Sequence, residues 1–356
     1  MNKFYKNKKI IITGHTGFKG AWLTQILLNF KANIVGISLP PEKSPNLFEV
    51  LKLKNNIKNY FVDIRDYEKL KDVFLKEKPE IVFHLAAQAI VRDSYDDPLN
   101  TISTNVLGTA NVLQVIKEVG GVKSVVIITT DKVYENKEWH YAYRENDALG
   151  GYDPYSASKA AADIISNSYI QSFFNLKDYN IKHNSLIAIA RAGNVIGGGD
   201  WARYRLIPDI VRSIYDKNEK IEIRNPQSIR PWQHVLEPLS GYLMLGKGLY
   251  EGKTCLSGAY NFGPNNESFV TVEKLLNHAI KILGKGVYEI NPDKSNKHES
   301  SLLKLDINKA DILLNWRPKL CLKENLELTF NWYKSYYKKS GDIVKITNQQ
   351  INNYFK

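Results

Sequence analysis

Short apolar runs rich in β-branched residues alternate along the first half of the chain with longer stretches in which apolar positions recur every three or four residues. The short runs are KIIIT (Lys9 to Thr13), NIVGIS (Asn33 to Ser38), YFVDI (Tyr60 to Ile64), EIVFHLAA (Glu80 to Ala87), SVVIITT (Ser124 to Thr130) and NSLIAIARAG (Asn184 to Gly193). Their nearly continuous apolar character predicts strands buried on both faces. The longer stretches predict helices over Phe18 to Phe30, Asp66 to Glu77, Asp97 to Val119 and Pro154 to Phe174. Pro98 and Pro154 stand at first helical positions, where a missing N–H costs nothing. Strands that alternate with long helices imply βαβ units, and so an α/β chain with a doubly wound parallel sheet.

After Gly193 the alternation loosens. Gly197 to Gly199, Pro208, Pro226, Pro231 and Pro238 separate shorter elements, with helices expected near Leu206 to Lys217, Val235 to Leu249 and Val272 to Leu283. The organisation expected is a dinucleotide-binding domain over 1–190 and a smaller α/β lobe over 191–356, with segments free to interleave.

Composition narrows the class without choosing the chemistry. At 356 residues the chain exceeds what one core usually organises. Hydrophobic residues at 43% and charged residues at 24% exclude collagen-like and disordered readings. Apolar runs such as SVVII and LIAIA are strand-sized, too short for a membrane span. The basic N-terminus reaches the first strand without a signal-peptide core. Two cysteines, Cys255 and Cys321, suit a reducing cytoplasm and have no metal-ligand spacing, so no metal is expected. A net charge of +12 suits nucleic acid, an anionic membrane or a phosphorylated small molecule. The Lys clusters at Lys6 to Lys9 and Lys338 to Lys339 lie near the ends and read as solvated surface, and no basic amphipathic helix is present. Neither a membrane nor a nucleic acid is expected as partner.

The first candidate for chemistry lies between the first strand and the first helix. Gly14-His15-Thr16-Gly17-Phe18-Lys19-Gly20 has the spacing G-x-x-G-x-x-G. Gly14 permits the tight turn, Gly17 lets backbone approach a pyrophosphate, and Gly20 lets helix pack on strand. The helix N-terminus then offers free N–H groups to phosphates. An acidic residue closing the second strand would hold the adenosine ribose, but Ser38 stands there. No Arg follows closely to favour a 2′-phosphate, although Lys43 is near, so NAD is expected over NADP. Asp63 and Ile64 have two readings: an adenine contact, or a turn Asp capping the next helix.

The second candidate is Tyr155-Ser156-Ala157-Ser158-Lys159, with Tyr and Lys on one face of a predicted helix. A phenol titrates near 10 in isolation. A neighbouring ammonium, or a nicotinamide cation, favours its ionised form and lets it act as a base near neutrality.

Together with HLAAQ (His84 to Gln88) and TNVLGT (Thr104 to Thr109), these motifs resemble the extended short-chain dehydrogenase/reductase family. The resemblance runs through LDINKADILLNWRP near the C-terminus and implies a Rossmann-type fold. It also implies that Ala86, Ala87, Gln88 and Thr129 lie along the cofactor, and that Asn105 supports the sheet and an active-site water. The strip Thr129-Thr130-Asp131-Lys132-Val133-Tyr134-Glu135 narrows it further. Epimerases of the family carry Ala after Ser or Thr there, whereas nucleotide-sugar 4,6-dehydratases carry Asp. Thymidine-type members follow that Asp with a Glu, and here Lys132 follows. With ENKEWHYAYRENDALGGYDPYSASK and ARAGNVIGGGDWARYRLIPD, the strip is similar to the dehydratase branch that takes CDP-glucose.

The resemblance implies an internal redox elimination. Tyr155 takes the 4-hydroxyl proton, Thr130 orients the 4-oxygen, Asp131 protonates the leaving 6-hydroxyl, and Lys132 occupies the slot of the carbon 5 base. A salt bridge to Asp131 is the other reading of Lys132. Arg191, Asn194, Arg205, Leu206, Arg224 and Arg230 are expected around the nucleoside diphosphate. Trp201 and Trp232 either cover base or sugar or belong to the core, and His234 is either a ligand or a structural histidine. A homodimer or dimer of dimers, paired through Asp97 to Val119 and Pro154 to Phe174, is implied, as is a place in deoxysugar supply for surface polysaccharide. Two rivals stand beside this reading: a 4-epimerase or dehydratase of another nucleotide sugar, and a cofactor-sensing or RNA-binding protein without turnover.

Overall fold

The computed structural model of the chain describes residues 1–291 and 302–356. Its centre is a seven-stranded sheet. We label its strands β1 (Lys9–Thr13), β2 (Asn33–Ser38), β3 (Lys58–Phe61), β4 (Ile81–His84), β5 (Ser124–Ile128), β6 (Leu186–Ala192) and β7 (Gly258–Phe262). The order across the sheet is β7-β6-β5-β4-β1-β2-β3, and every pairing is parallel. The chain winds outward from β1 to β3, then returns beside β1 with β4, as in the register Thr13 to His84. That reversal opens a crevice beyond the carboxyl ends of β1 and β4, where open α/β sheets bind ligands.

Alternate residues of each strand enter different layers. Ile10, Ile12, Val126, Ile128 and Ala188 join one core, and Ile11, Val125, Ile127, Ile187 and Ile189 join the other. Each fully buried Ile or Val contributes about 1.5–3 kcal/mol, so the two cores fix the strand register. The helices that matter for the site are α1 (Phe18–Asn29), α2 (Tyr67–Glu77), α3 (Gly108–Val119), α4 (Pro154–Ser172), α5 (Leu206–Arg212), α6 (Leu236–Tyr250), α7 (Val272–Leu283), α8 (Leu322–Lys338) and α9 (Ile343–Tyr354).

Some elements differ from expectation. The run YFVDI gives a strand two residues earlier, over Lys58–Phe61, because β3 is an edge paired only with β2 and the chain turns away at Asp63. The helix expected from Asp97 to Val119 is interrupted by a π-helical segment over Ser103–Leu107. The later half of the chain also reaches back into the sheet. It supplies β7, and Ser124 of β5 donates to the carbonyl of Gly246 in α6 at 2.8 Å.

Candidate active site

The glycine turn is built so that side chains stay out. Gly14 has φ +75°, and a Cβ there would sit 2.6 Å from the backbone nitrogen of Ala86. A Cβ on Gly20 would lie 2.1 Å from the carbonyl oxygen of Gly14. Gly17 is the N-cap of α1 and no side chain caps that end. The first-turn N–H groups are thereby left to an anion. This cradle fits the pyrophosphate of a dinucleotide. At its far corner the Thr16 and Ser38 hydroxyls lie 2.8 Å apart, and Thr16 donates to the carbonyl of Leu39 at 3.0 Å.

A cleft of about 550 Å³ runs from this cradle past the ends of β4 to β6. Gly14, Thr16, Gly17, Phe18, Lys19, Gly20, Ser38 and Ala87 line its cofactor end. Other residues expected at the cofactor support the cleft without lining it. His15 is fully buried, bonds Asn59 through Nε2 and meets the Phe48 ring edge-on at 5.2 Å. Ala86 donates its N–H to Thr13 Oγ1 at 3.2 Å. Asn105 latches the loop after β4 to α4: it accepts from Gln88 N at 2.8 Å and donates to Gln88 O at 3.0 Å and Ser158 Oγ at 2.8 Å. The Asp63 carboxylate is held by Arg65, with Nη2 at 2.6 Å, and Ile64 is buried against Gly108. Asp66, not Asp63, caps α2. The helix-capping reading of Asp63 is therefore corrected, and an adenine contact by Asp63 and Ile64 stays an expectation.

The Thr129 to Glu135 strip opens on the same cleft as the cradle. Pro154 starts α4, and Asp153 caps it by accepting from Ser156 N at 2.9 Å and Ser156 Oγ at 2.6 Å. This fixes the turn that carries Tyr155 and Lys159. Thr130 Oγ1 donates to Asp131 Oδ1 at 2.9 Å and lies beside Tyr155. The Asp131 carboxylate lies on the bare backbone of Gly193, where a Cβ would be 1.8 Å from Oδ2. Among the described residues Asp131 and Lys132 form no ion pair, so the salt-bridge reading of Lys132 is set aside. Thr129, Thr130, Asp131, Lys132, Tyr155 and Lys159 all line the cleft.

The electrostatics add one residue to this group. Burial pushes the Tyr155 phenol up to about 12, opposed by the Thr130 hydrogen bond and by the positive charge of Arg205. Lys159 donates to the carbonyl of Ile128 at 2.8 Å. Burial, and then the charge of Lys19, draw its ammonium down to about 7. The positive charge of Arg205 thus joins the groups that favour ionised Tyr155. Lys19 is itself drawn down to about 8, mainly by burial and then by Arg205.

Asn194, Arg205, Leu206, Arg224, Arg230 and Trp232 also line the cleft, with Trp232 only 6% exposed. Three expected neighbours are elsewhere. Arg191 is buried in an ion pair with Asp163. Trp201 packs on the aromatic rings of Trp332, Tyr333 and Tyr336. His234 is fully buried, edge-on to Trp22 at 5.8 Å, and burial lowers its pKa to about 3. The reading of Arg191 as a substrate group is corrected, and the packing of Trp201 and His234 matches their core and structural readings. Arg92, Tyr95, Asp200 and Tyr204 also line the cleft and were not anticipated. The available signal was position: Arg92 and Tyr95 follow the carboxyl end of β4, and Asp200 and Tyr204 lie within the strip already singled out for its specificity.

Known proteins resemble this chain. A CDP-glucose 4,6-dehydratase of Salmonella typhimurium is 45% identical over 351 residues, covering 99% of this chain and 97% of its own. A UDP-glucuronate 4-epimerase of Thermodesulfobacterium geofontis is 26% identical, covering 91% of this chain and 95% of its own. Among solved structures, dTDP-glucose 4,6-dehydratase of Bacillus anthracis in complex with NAD superposes with a TM-score of 0.76 at 24% identity, covering 93% of this chain and 98% of that one. No helix among the described residues is long and apolar enough to cross a membrane. The model of the family described as GDP-mannose 4,6 dehydratase matches residues 11–329, which takes in the glycine cradle, the Asp131 strip and the arginine wall, and the chain belongs to that family.

Proposed function

We propose that the chain dehydrates CDP-glucose to CDP-4-keto-6-deoxyglucose with NAD as its resident cofactor. The observation that carries the reading is Asp131, a buried carboxyl bonded to Thr130 beside Tyr155 within one cleft. An epimerase needs no acid there, because no hydroxyl leaves. The choice of CDP-glucose follows the Salmonella relative, and NAD follows the neutral Ser38 corner and the NAD-bound structural neighbour.

NAD would rest on the Gly14 to Gly20 cradle, and when bound it supplies a hydride acceptor for carbon 4 and a hydride donor for carbon 6. The remaining work falls to side chains. Tyr155 accepts the proton of the 4-hydroxyl, with Arg205 and Thr130 stabilising the phenolate. The resulting ketone acidifies the carbon 5 hydrogen; Lys132 takes that proton and, after exchange with solvent, returns one to carbon 5 once carbon 6 has been reduced. Asp131 delivers a proton to the 6-hydroxyl, which leaves as water. Arg205, Arg224 and Arg230 face the pyrophosphate as forked donors, and Trp232 covers a flat face of the ligand. A second copy of the chain is proposed against the helices that present Leu99, Leu107 and Ile164 to solvent. The cytoplasm is the proposed location.

The test is direct. Purified protein with NAD and CDP-glucose should yield the 4-keto-6-deoxy sugar without net build-up of reduced cofactor, and in heavy water the product should carry deuterium at carbon 5. Steady accumulation of reduced cofactor, or recovery of CDP-galactose, would overturn the reading. UDP-, GDP- and dTDP-glucose should turn over more slowly than CDP-glucose.

A further inference from the structure

The Thr129 to Tyr134 strip presents Thr130, Asp131 and Lys132 to the cleft, yet its own regular structure is one 3-10 turn over Asp131–Val133. A turn of that length has poor hydrogen-bond geometry and does not hold itself rigid. The strip is held from outside, and both its ends lead to one buried ion pair. Arg191, at the end of β6, donates Nε and Nη2 to the two oxygens of Asp163 on α4, each at 2.8 Å. Asp163 also accepts from Thr129 Oγ1 at 3.2 Å, at the leading end of the strip. The third guanidinium nitrogen, Nη1, donates to Tyr134 Oη at 2.8 Å, at the trailing end, and to the carbonyl of Glu145 at 2.9 Å. Tyr134 Oη passes its own proton to Asn261 Oδ1 of β7 at 2.7 Å.

Arg191, Asp163 and Tyr134 are all nearly inaccessible, and none of them lines the cleft. A buried ion pair is a poor way to gain stability, since apolar side chains of the same volume often do as well. What this one supplies is direction: a forked guanidinium has fixed donor angles, and its three nitrogens serve two ends of one catalytic segment. Tyr155 and Lys159 have separate support from the Asp153 cap and the Ile128 carbonyl.

We propose that Arg191, Asp163 and Tyr134 form a positioning clasp that holds Asp131 and Lys132 for the elimination half of the reaction, while Tyr155 and Lys159, which begin the oxidation, keep supports of their own. The proposal rests on the dehydration reading. Tyr134→Phe tests it with least damage, because it removes one hydroxyl and keeps the ring over which the Arg191 guanidinium sits at 5.0 Å. The expected result is a fall in kcat of about tenfold to a hundredfold, the scale set by small misplacements of catalytic groups. KM for CDP-glucose should stay within about twofold, as for an interaction felt only in the transition state. During turnover the 4-keto glucose should accumulate before water is lost. Without any substrate, hydrogen exchange should quicken at the amides of 130–134 while the rest of β5 and α4 stays protected. Arg191→Lys keeps the charge and loses the fork, and should shift both readouts in the same direction. An unchanged kcat would overturn the clasp. So would a loss of rate with no build-up of the oxidised sugar and with exchange raised evenly across the sheet. Failure of the unaltered enzyme to dehydrate CDP-glucose would instead overturn the underlying reading, which the exchange measurement does not depend on.

Discussion

The cofactor cradle and the catalytic strip face each other across the cleft and are built on opposite principles. The cradle is backbone: Gly14 and Gly20 are tolerated only without a Cβ, and its helix end is left uncapped. The strip is side chain: Thr130 bonds Asp131, and the Arg191–Asp163 pair meets the strip at Thr129 and Tyr134. Backbone N–H groups suit a ligand whose phosphates are the same in every turnover. Proton transfers need groups whose charge changes, and those must be buried, paired and kept in place.

The contrast can be broken most sharply at Tyr155. Tyr155→Phe should lower kcat by at least about a thousandfold, within the range of lost general acid–base catalysis, while NAD affinity changes little. Rapid-quench kinetics with calorimetric NAD binding would check it, and comparable losses in both would mean the two regions are not separable. The converse is Gly20→Ala. Its Cβ meets the Gly14 carbonyl at 2.1 Å, so helix and turn must part at a cost of about 1–3 kcal/mol, and NAD binding should fall before any chemistry is affected. Calorimetry and thermal unfolding read that outcome, and unchanged NAD affinity would sink it.

Gly193→Ala sharpens the comparison from the strip's side. The added carbon would lie 1.8 Å from Asp131 Oδ2, so the carboxyl must move. A loss of about tenfold or more in kcat is expected, with the 4-keto glucose accumulating and NAD affinity retained. The smallest effect concerns pH. Burial holds His84 and His234 neutral with pKa values lowered to about 3 from 6.5. The unfolded chain takes up these protons first, so stability should fall as pH drops from about 6.5 towards 3. Each histidine adds up to about 1.4 kcal/mol per pH unit to that slope. Denaturant melts of His234→Gln should show a shallower slope in that window, and an unchanged slope would count against the neutral assignment.

The fold was legible because both-face burial leaves an unmistakable run in the sequence. KIIIT, NIVGIS and SVVII became β1, β2 and β5, and the glycines fell between strand and helix where their spacing placed them. Edge strand β3 was displaced because it pairs on one side only, and half-buried residues carry a weaker pattern. Asp131, Tyr155 and Lys159 were legible through motif and strand end. Arg191 was misread, and the two readings of Trp201 and of His234 stayed open, because cationic and aromatic residues beside such a strip look alike whether they face a ligand or a neighbouring side chain. Only packing separates those cases: Arg191 faces Asp163, Trp201 faces Trp332, and His234 faces Trp22. Arg205 was placed correctly in the cleft, but its action on Tyr155 depends on distances that no spacing encodes.

The seventh strand has a consequence for how the molecule is made. β6 is completed along one edge by Gly258–Phe262, so a ribosome must have released residues well past the cleft before the sheet closes. Until then β6 offers an unpaired apolar border to any passing chain. A fragment ending before Gly258 should accordingly clump instead of behaving as a free-standing nucleotide module.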